Sequence, residues 1–179
     1  MIFLSAGHHD KDPGAVSGKY IERDLTKESR SLIEMYIDPK QLIKDKDFET
    51  NTQYQSRIKP GSGSVVFDLH FNAGSSTATG TECYVNAKDF ADKKSMSYKM
   101  AEEICEATSE ILVIPNRGVK SEGQSQHSRI GILNKNAGCA VLWEICFISN
   151  PLNMSAYTFK KAELSRKIAE ILVKYDALK

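Results

Sequence analysis

The sequence predicts an α/β protein, and three observations lead there. Short apolar runs rich in strand formers recur at residues 2–6, 64–70, 80–85 and 140–148. Amphipathic stretches with helical spacing lie between and after them, near residues 22–36, 90–112 and 159–176. Two of the strand-like runs finish at or just before a histidine, His8 and His70. An α/β sheet gathers ligand-binding side chains at the carboxyl ends of its strands in this way.

The opening run, Ile2 to Ala6, passes through Gly7 into His8-His9 and then Asp12-Pro13-Gly14, so a buried strand stops abruptly and presents imidazole at its end. Residues 22–36 carry Leu25, Leu32, Ile33 and Tyr36 on one helical face, with Glu22 at the start. A carboxylate there suits the positive end of a helix dipole, so a capping role is the simplest account of Glu22. Residues 41–44 read as a short edge strand, 53–58 as a helical turn, and Lys59-Pro-Gly-Ser-Gly63 as a breaker before the strand that ends at His70.

The stretch 115–118 closes the helix of residues 90–112. Residues 119–129 are polar and turn-prone and receive no assignment, while 130–136 suggest a short helix. The most apolar run is 140–148, continuous enough for a strand covered on both faces. Glu144 stands in its middle, where a carboxylate is rare unless paired or bound to metal. Residues 149–153 break that strand before the last helix, whose Lys160, Lys161, Arg166, Lys167 and Lys174 form a solvated face or, alternatively, a hold on an anionic polymer.

The 179 residues suit one domain, expected to span the chain from 1 to 179. A net charge of +1 gives no global electrostatic case for nucleic acid or an acidic membrane surface. The apolar opening is too short for a signal peptide or a membrane span, so synthesis in the cytoplasm without membrane insertion is expected. Cys83, Cys105, Cys139 and Cys146 form no Cys-x-x-Cys pair and read as reduced, buried thiols.

His8, Glu22, His70 and Glu144 together offer two imidazoles and two carboxylates on or beside strand ends. Zinc in hydrolytic sites takes three protein ligands of this kind and keeps a position open, and the remaining carboxylate can act as general base.

The stretches Ala6-Gly-His8-His-Asp-Lys-Asp-Pro-Gly-Ala15, Glu22-Arg-Asp-Leu25, Asp68-Leu-His70-Phe-Asn-Ala73, Gly80-Thr-Glu82, Arg117-Gly-Val-Lys120 and Leu142-Trp-Glu144-Ile-Cys-Phe-Ile-Ser-Asn150 occur in that order. Together they resemble the zinc-dependent N-acetylmuramoyl-L-alanine amidases of the amidase-3 type, found in bacterial wall hydrolases and phage endolysins. The resemblance implies an α/β fold with a central, mostly parallel twisted sheet between helices and the zinc site at the carboxyl ends of its strands. It implies one Zn²⁺ per chain held by His8, Glu22 and His70, with Glu144 activating water and protonating the leaving amine. The substrate would be peptidoglycan, cut between N-acetylmuramic acid and L-alanine of the stem peptide. A monomeric phage or prophage endolysin, reaching the bacterial wall after release from the cytoplasm, is the expected setting.

The chain departs from the family pattern in places. His9 stands where glycine is usual, and adjacent strand residues point opposite ways, which argues against a ligand role. Asp68 replaces a usual serine and can support a ligand from behind. Cys146 replaces a common glycine. His127 and Arg129 fall in a poorly matching segment and read as surface residues or, alternatively, as substrate contacts, and Glu82 suits packing or substrate contact better than ligation. Two alternatives stand beside the amidase: another zinc peptidase acting within the stem peptide, and a wall-binding module without catalysis. Retention of Glu144 with all three ligands argues against the second.

Overall fold

Alternation with a period of two organises the sheet and decides which face carries chemistry. The computed structural model describes Met1 to Leu178. In β5 (Val65–Asn72), Val65, Phe67 and Leu69 enter the larger core, while Val66, Asp68 and His70 turn to the other face. In β8 (Cys139–Phe147), Val141, Trp143 and Ile145 join the larger core, and Ala140, Leu142 and Glu144 share the face of His70.

The remaining main strands are β1 (Ile2–Ala6), β4 (Leu42–Lys44), β6 (Thr81–Val85) and β7 (Asn116–Ser121), in the spatial order β4-β1-β5-β8-β6-β7. Parallel pairing joins β4 to β1, β1 to β5 and β5 to β8. Strand β6 runs antiparallel to β8, and β7 runs parallel to β6. The sheet is therefore mostly parallel, as the resemblance implies, with one reversal beside β8. Two further strands, β2 (Val16–Ser17) and β3 (Tyr20–Ile21), make a small hairpin turned at Gly18, whose φ is 56°.

Helices α1 (Glu22–Glu34), α4 (Met96–Leu112) and α5 (Pro151–Ala177) cover the larger core, contributing Ile33, Met100, Ile104, Leu164, Ile168 and Leu172. The opposite face is thinly covered, by Tyr54 of α2 (Asn51–Arg57) and by Ile132 and Leu133 of a 3₁₀ turn at Gly131–Asn134. His70 and Glu144 on that face are consequently only partly buried. Phe67 and Trp143 stack with centroids 5.8 Å apart, and the indole Nε1–H donates to Thr81 Oγ1 at 3.1 Å. This packing fixes the register of β5, β8 and β6.

Several boundaries differ from the expectation. The helix read as 90–112 is two, because α3 (Ala87–Ala91) ends at Asp92 and Ser95 caps α4 by accepting the Tyr98 N–H. The last helix begins at Pro151, not near 159. Proline fits a first helical position, and Asn150 caps the helix by accepting the N–H groups of Leu152 and Asn153. Tyr36 lies past the end of α1 and is exposed, so the inner face is held by Ile33 and, beyond the helix, Ile37. The segment read as a breaker and an unassigned loop holds β7. It is an edge strand with half-exposed side chains and a kink at Gly118, φ 76°, so it lacks apolar alternation. All four cysteines are free and buried. On α5, Lys160, Lys161 and Lys174 pair with Glu163, Glu28 and Glu103, as a solvated face would.

Candidate metal centre

The turn after β1 shapes one side of the site. His8 has a φ of 72°, the left-handed region that non-glycine residues seldom occupy. The neighbouring His9 exchanges backbone hydrogen bonds with Asp12, and its Nδ1 accepts the Lys11 N–H. His9 therefore leaves the site, but through the reversed backbone at His8 rather than through strand alternation. Close packing demands glycine on either side. At Gly14, φ 63°, a Cβ would stand 2.6 Å from His8 Nε2 and 2.7 Å from Glu22 Oε2. Gly14→Ala is expected to displace both side chains and cut metal content at least tenfold, read by elemental analysis of protein that still folds.

Glu22 opens α1, yet its carboxylate does not cap the helix. Oε2 accepts the Ala15 N–H at 2.9 Å and Oε1 accepts the Phe71 N–H at 3.0 Å. The same oxygens face imidazole on both sides: Oε2 lies 3.1 Å from His8 Nε2, and Oε1 lies 3.1 Å from His70 Nδ1. Burial alone would raise the Glu22 pKa, but the two imidazoles outweigh it and hold the group far below the usual carboxylate range. Thr26, one turn later, donates its Oγ1–H to the Gly7 carbonyl and ties α1 to the end of β1.

Each imidazole is gripped from its far side as well. His8 Nδ1 lies 2.9 Å from Asp12 Oδ2, and His70 Nε2 lies 3.3 Å from Asp68 Oδ2. Asp68 in turn accepts the Ser5 hydroxyl at 2.5 Å. A neutral imidazole carries one proton, so it cannot satisfy carboxylates on both nitrogens. With the outer proton given to aspartate, the inner lone pair meets a Glu22 oxygen, and a cation between them would satisfy both. Without one, both histidines are driven toward the protonated form: burial lowers each pKa, but the surrounding carboxylates raise it further, most strongly at His70. Two imidazoliums with ring centroids 5.2 Å apart repel each other. One divalent metal resolves both conflicts, and ligand atoms of His8, Glu22 and His70 all lie within 4.8 Å of one another. The residues fit a metal ion.

Glu144 is the register partner of His70 across β5 and β8, and of Glu82 across β8 and β6. Its Oε2 is buried with no hydrogen-bond partner. Burial pushes its pKa up to about 7, against the opposing pull of His70. An unpartnered carboxylate beside a metal-fitting cluster, with its proton affinity near neutrality, is suited to general acid–base chemistry.

Residues 2–174 match the model of the N-acetylmuramoyl-L-alanine amidase family of the amidase-3 type. The chain belongs to that family. It is 25% identical over 177 residues to the uncharacterized protein YqiI of Bacillus subtilis strain 168, spanning 96% of this chain and 81% of that one. A crystal structure from Neisseria meningitidis, described as an N-acetylmuramoyl-L-alanine amidase, superposes with a TM-score of 0.76 at 26% identity, covering 97% of this chain and 93% of that one. The catalytic domain of CwlV, an N-acetylmuramoyl-L-alanine amidase from Bacillus (Paenibacillus) polymyxa, shares the fold at a TM-score of 0.77 and 21% identity, covering 99% and 98% of the two chains. Membership makes this amidase a peptidoglycan hydrolase.

The four residues singled out in the sequence, His8, Glu22, His70 and Glu144, come together in this amidase. His127 and Arg129 are exposed and join none of the group, while Cys146 is buried within β8. Sequence reasoning missed Asp12 and Ser5; an acid four residues after His8 within a turn was the available signal for the first. Asp68 takes the supporting position expected of it. Asp12→Asn and Asp68→Asn are each expected to weaken metal binding about 10–100-fold with little change in fold, measured by chelator competition.

Proposed function

We propose that this amidase is a zinc enzyme in which His8, Glu22 and His70 hold one Zn²⁺ and Glu144 transfers the proton. It cuts the amide between the lactyl group of N-acetylmuramic acid and L-alanine. The observation that carries the reading is the row His70–Glu144 across β5 and β8, which sets an unpartnered carboxylate against a cluster in need of a divalent cation. Two histidines, one glutamate and an open position suit zinc in hydrolytic sites. Bound zinc supplies Lewis-acid polarisation and a lowered pKa for water.

The chain's own residues do the rest. Glu22, braced by two backbone N–H groups, keeps both imidazoles at fixed distance. Asp12 and Asp68 hold the outer imidazole protons, so the inner nitrogens stay deprotonated. Glu144, ionised, takes a proton from the attacking water and returns it to the departing alanine nitrogen, which cannot leave as an amide anion. Its burial keeps that proton available near neutral pH.

Residues 1–179 are taken as a single catalytic unit acting as a monomer. A phage or prophage endolysin, acting on the wall after release from the cytoplasm, is the setting proposed with it. Cytoplasmic expression should leave cells intact until the inner membrane is permeabilised, and lysis without permeabilisation would count against that setting.

The test of the reaction is product analysis on purified peptidoglycan. Stem peptides with free L-alanine amino termini should appear while glycan strands stay uncut. New amino termini only at internal stem positions would make the enzyme a peptidase instead.

A further inference from the structure

The row of polar side chains does not stop at Glu144. Its antiparallel neighbour Glu82, on β6, is buried and accepts four donors: Asn72 Nδ2 at 2.8 Å, the Tyr84 hydroxyl at 2.9 Å, Arg117 Nε at 2.5 Å and Lys120 Nζ at 2.6 Å. One carboxylate thus gathers two cations, and the cluster keeps a net positive charge. Glu82 is saturated, so it has no free acceptor to offer a ligand. The cations are not saturated.

Arg117 uses only Nε in this bond, and its Nη groups have no hydrogen-bond partner among the described residues. Its guanidinium lies over the Phe147 ring, 5.1 Å from the centroid, and its side chain is 38% exposed. The guanidinium plane is therefore held at one face and one edge, and its Nη donors are left unpartnered on a part-exposed side chain. Lys120 stands beside it on the same carboxylate oxygen, its side chain 25% exposed and two donors free. Gly80 makes room for this, because a Cβ there would stand 2.8 Å from Arg117 Cγ and Cδ. Pinned cations with unused donors form a carboxylate-binding fork rather than a structural ion pair.

Position identifies the carboxylate. Neighbouring strands lie about 4.8 Å apart, so β7 is roughly 10 Å from β8 and its cations reach back over β6. An extended chain covers about 7 Å in two residues. With the scissile amide between the metal ligands and Glu144, a group two residues along the stem falls over the fork. We propose that Arg117 and Lys120, clamped by Glu82, bind the free α-carboxylate of the γ-linked D-glutamate at the second stem position. The site thereby distinguishes it from the uncharged amide of D-isoglutamine. This rests on the amidase reading and adds a substrate-selecting subsite to it.

The test compares two small substrates that differ only at that carboxylate, N-acetylmuramoyl-L-alanyl-D-glutamate and N-acetylmuramoyl-L-alanyl-D-isoglutamine. Wild type is expected to favour the free acid at least tenfold in kcat/KM, mostly through KM. Arg117→Gln and Lys120→Gln should each reduce that preference to twofold or less, and Arg117→Lys should retain part of it. Melting temperature and zinc content of the variants check their folding, and the wild-type comparison needs no variant. Equal wild-type kcat/KM on the two compounds, or a preference unchanged in folded variants, overturns the subsite and leaves the amidase reading standing. Failure of wild type to release the alanine amine from either compound or from intact peptidoglycan overturns the amidase reading, and the subsite with it.

Discussion

Glu144→Gln is expected to lower kcat by about 10²–10⁴-fold while leaving zinc content at one ion per chain. Glutamine keeps the shape of the side chain but can neither take the proton from water nor return it to the leaving nitrogen. A wall-clearing assay on loaded protein reads this directly, and equal activity of variant and wild type would remove Glu144 from the mechanism. The substitution should also separate function from stability. In the metal-free protein the Glu144 pKa stands at about 7, above the ordinary value of 4.5. Between those values the native state holds a proton that the unfolded chain has lost, so stability falls as pH rises through the window. The penalty is complete above pH 7 and absent below the unfolded value. Metal-free Glu144→Gln is thus expected to be more stable than metal-free wild type at pH 8, by about 1–2 kcal/mol after allowance for partial exposure, and so to melt higher there, and to match it at pH 4. A variant that melts lower at pH 8 would show that the carboxylate is paired after all.

Removal of the metal is the second large effect. Chelation, His8→Ala or His70→Ala should abolish wall clearing, and zinc should restore only the chelated wild type. The pH dependence of the metal's stabilising effect has a definite sign. In the metal-free protein both histidines have raised pKa values, because their carboxylate neighbours outweigh burial. That contribution is fully present below the unfolded value of 6.5 and is lost as pH rises through the raised native values. Zinc displaces those protons and binds better as pH rises. The rise in melting temperature on adding zinc should therefore be larger at pH 8 than at pH 6. A rise that is equal at both, or larger at pH 6, would mean that the metal does not replace protons on His8 and His70.

Much of this was legible in the chain. His8, His70 and Glu144 stand out because a polar group at or inside an apolar run needs a reason, and burial of such groups is costly. Glu22 was the ambiguous case, since an acidic residue in a first helical turn is satisfied by capping alone. Its contacts with Ala15 and Phe71 show that the carboxylate instead turns back under the sheet. Helix starts at Pro151 and Ser95 were open to reading from their caps, yet a proline after an apolar run resembles a strand breaker equally well. Strand β7 was not readable, because an edge strand has one solvated side and no second periodic face to display.

Local pattern therefore established the α/β class, the strands that carry His70 and Glu144, and the four candidate side chains, because apolar periodicity and the cost of burying charge are properties of short stretches. Tertiary structure alone decided which neighbours surround those side chains. Asp12 and Asp68 behind the imidazoles, Glu82 beside Glu144, and Arg117 and Lys120 on Glu82 meet through strand register and a reversed turn at His8. Register follows from how β5, β8 and β6 pack around Phe67 and Trp143, and no single stretch of sequence contains that packing.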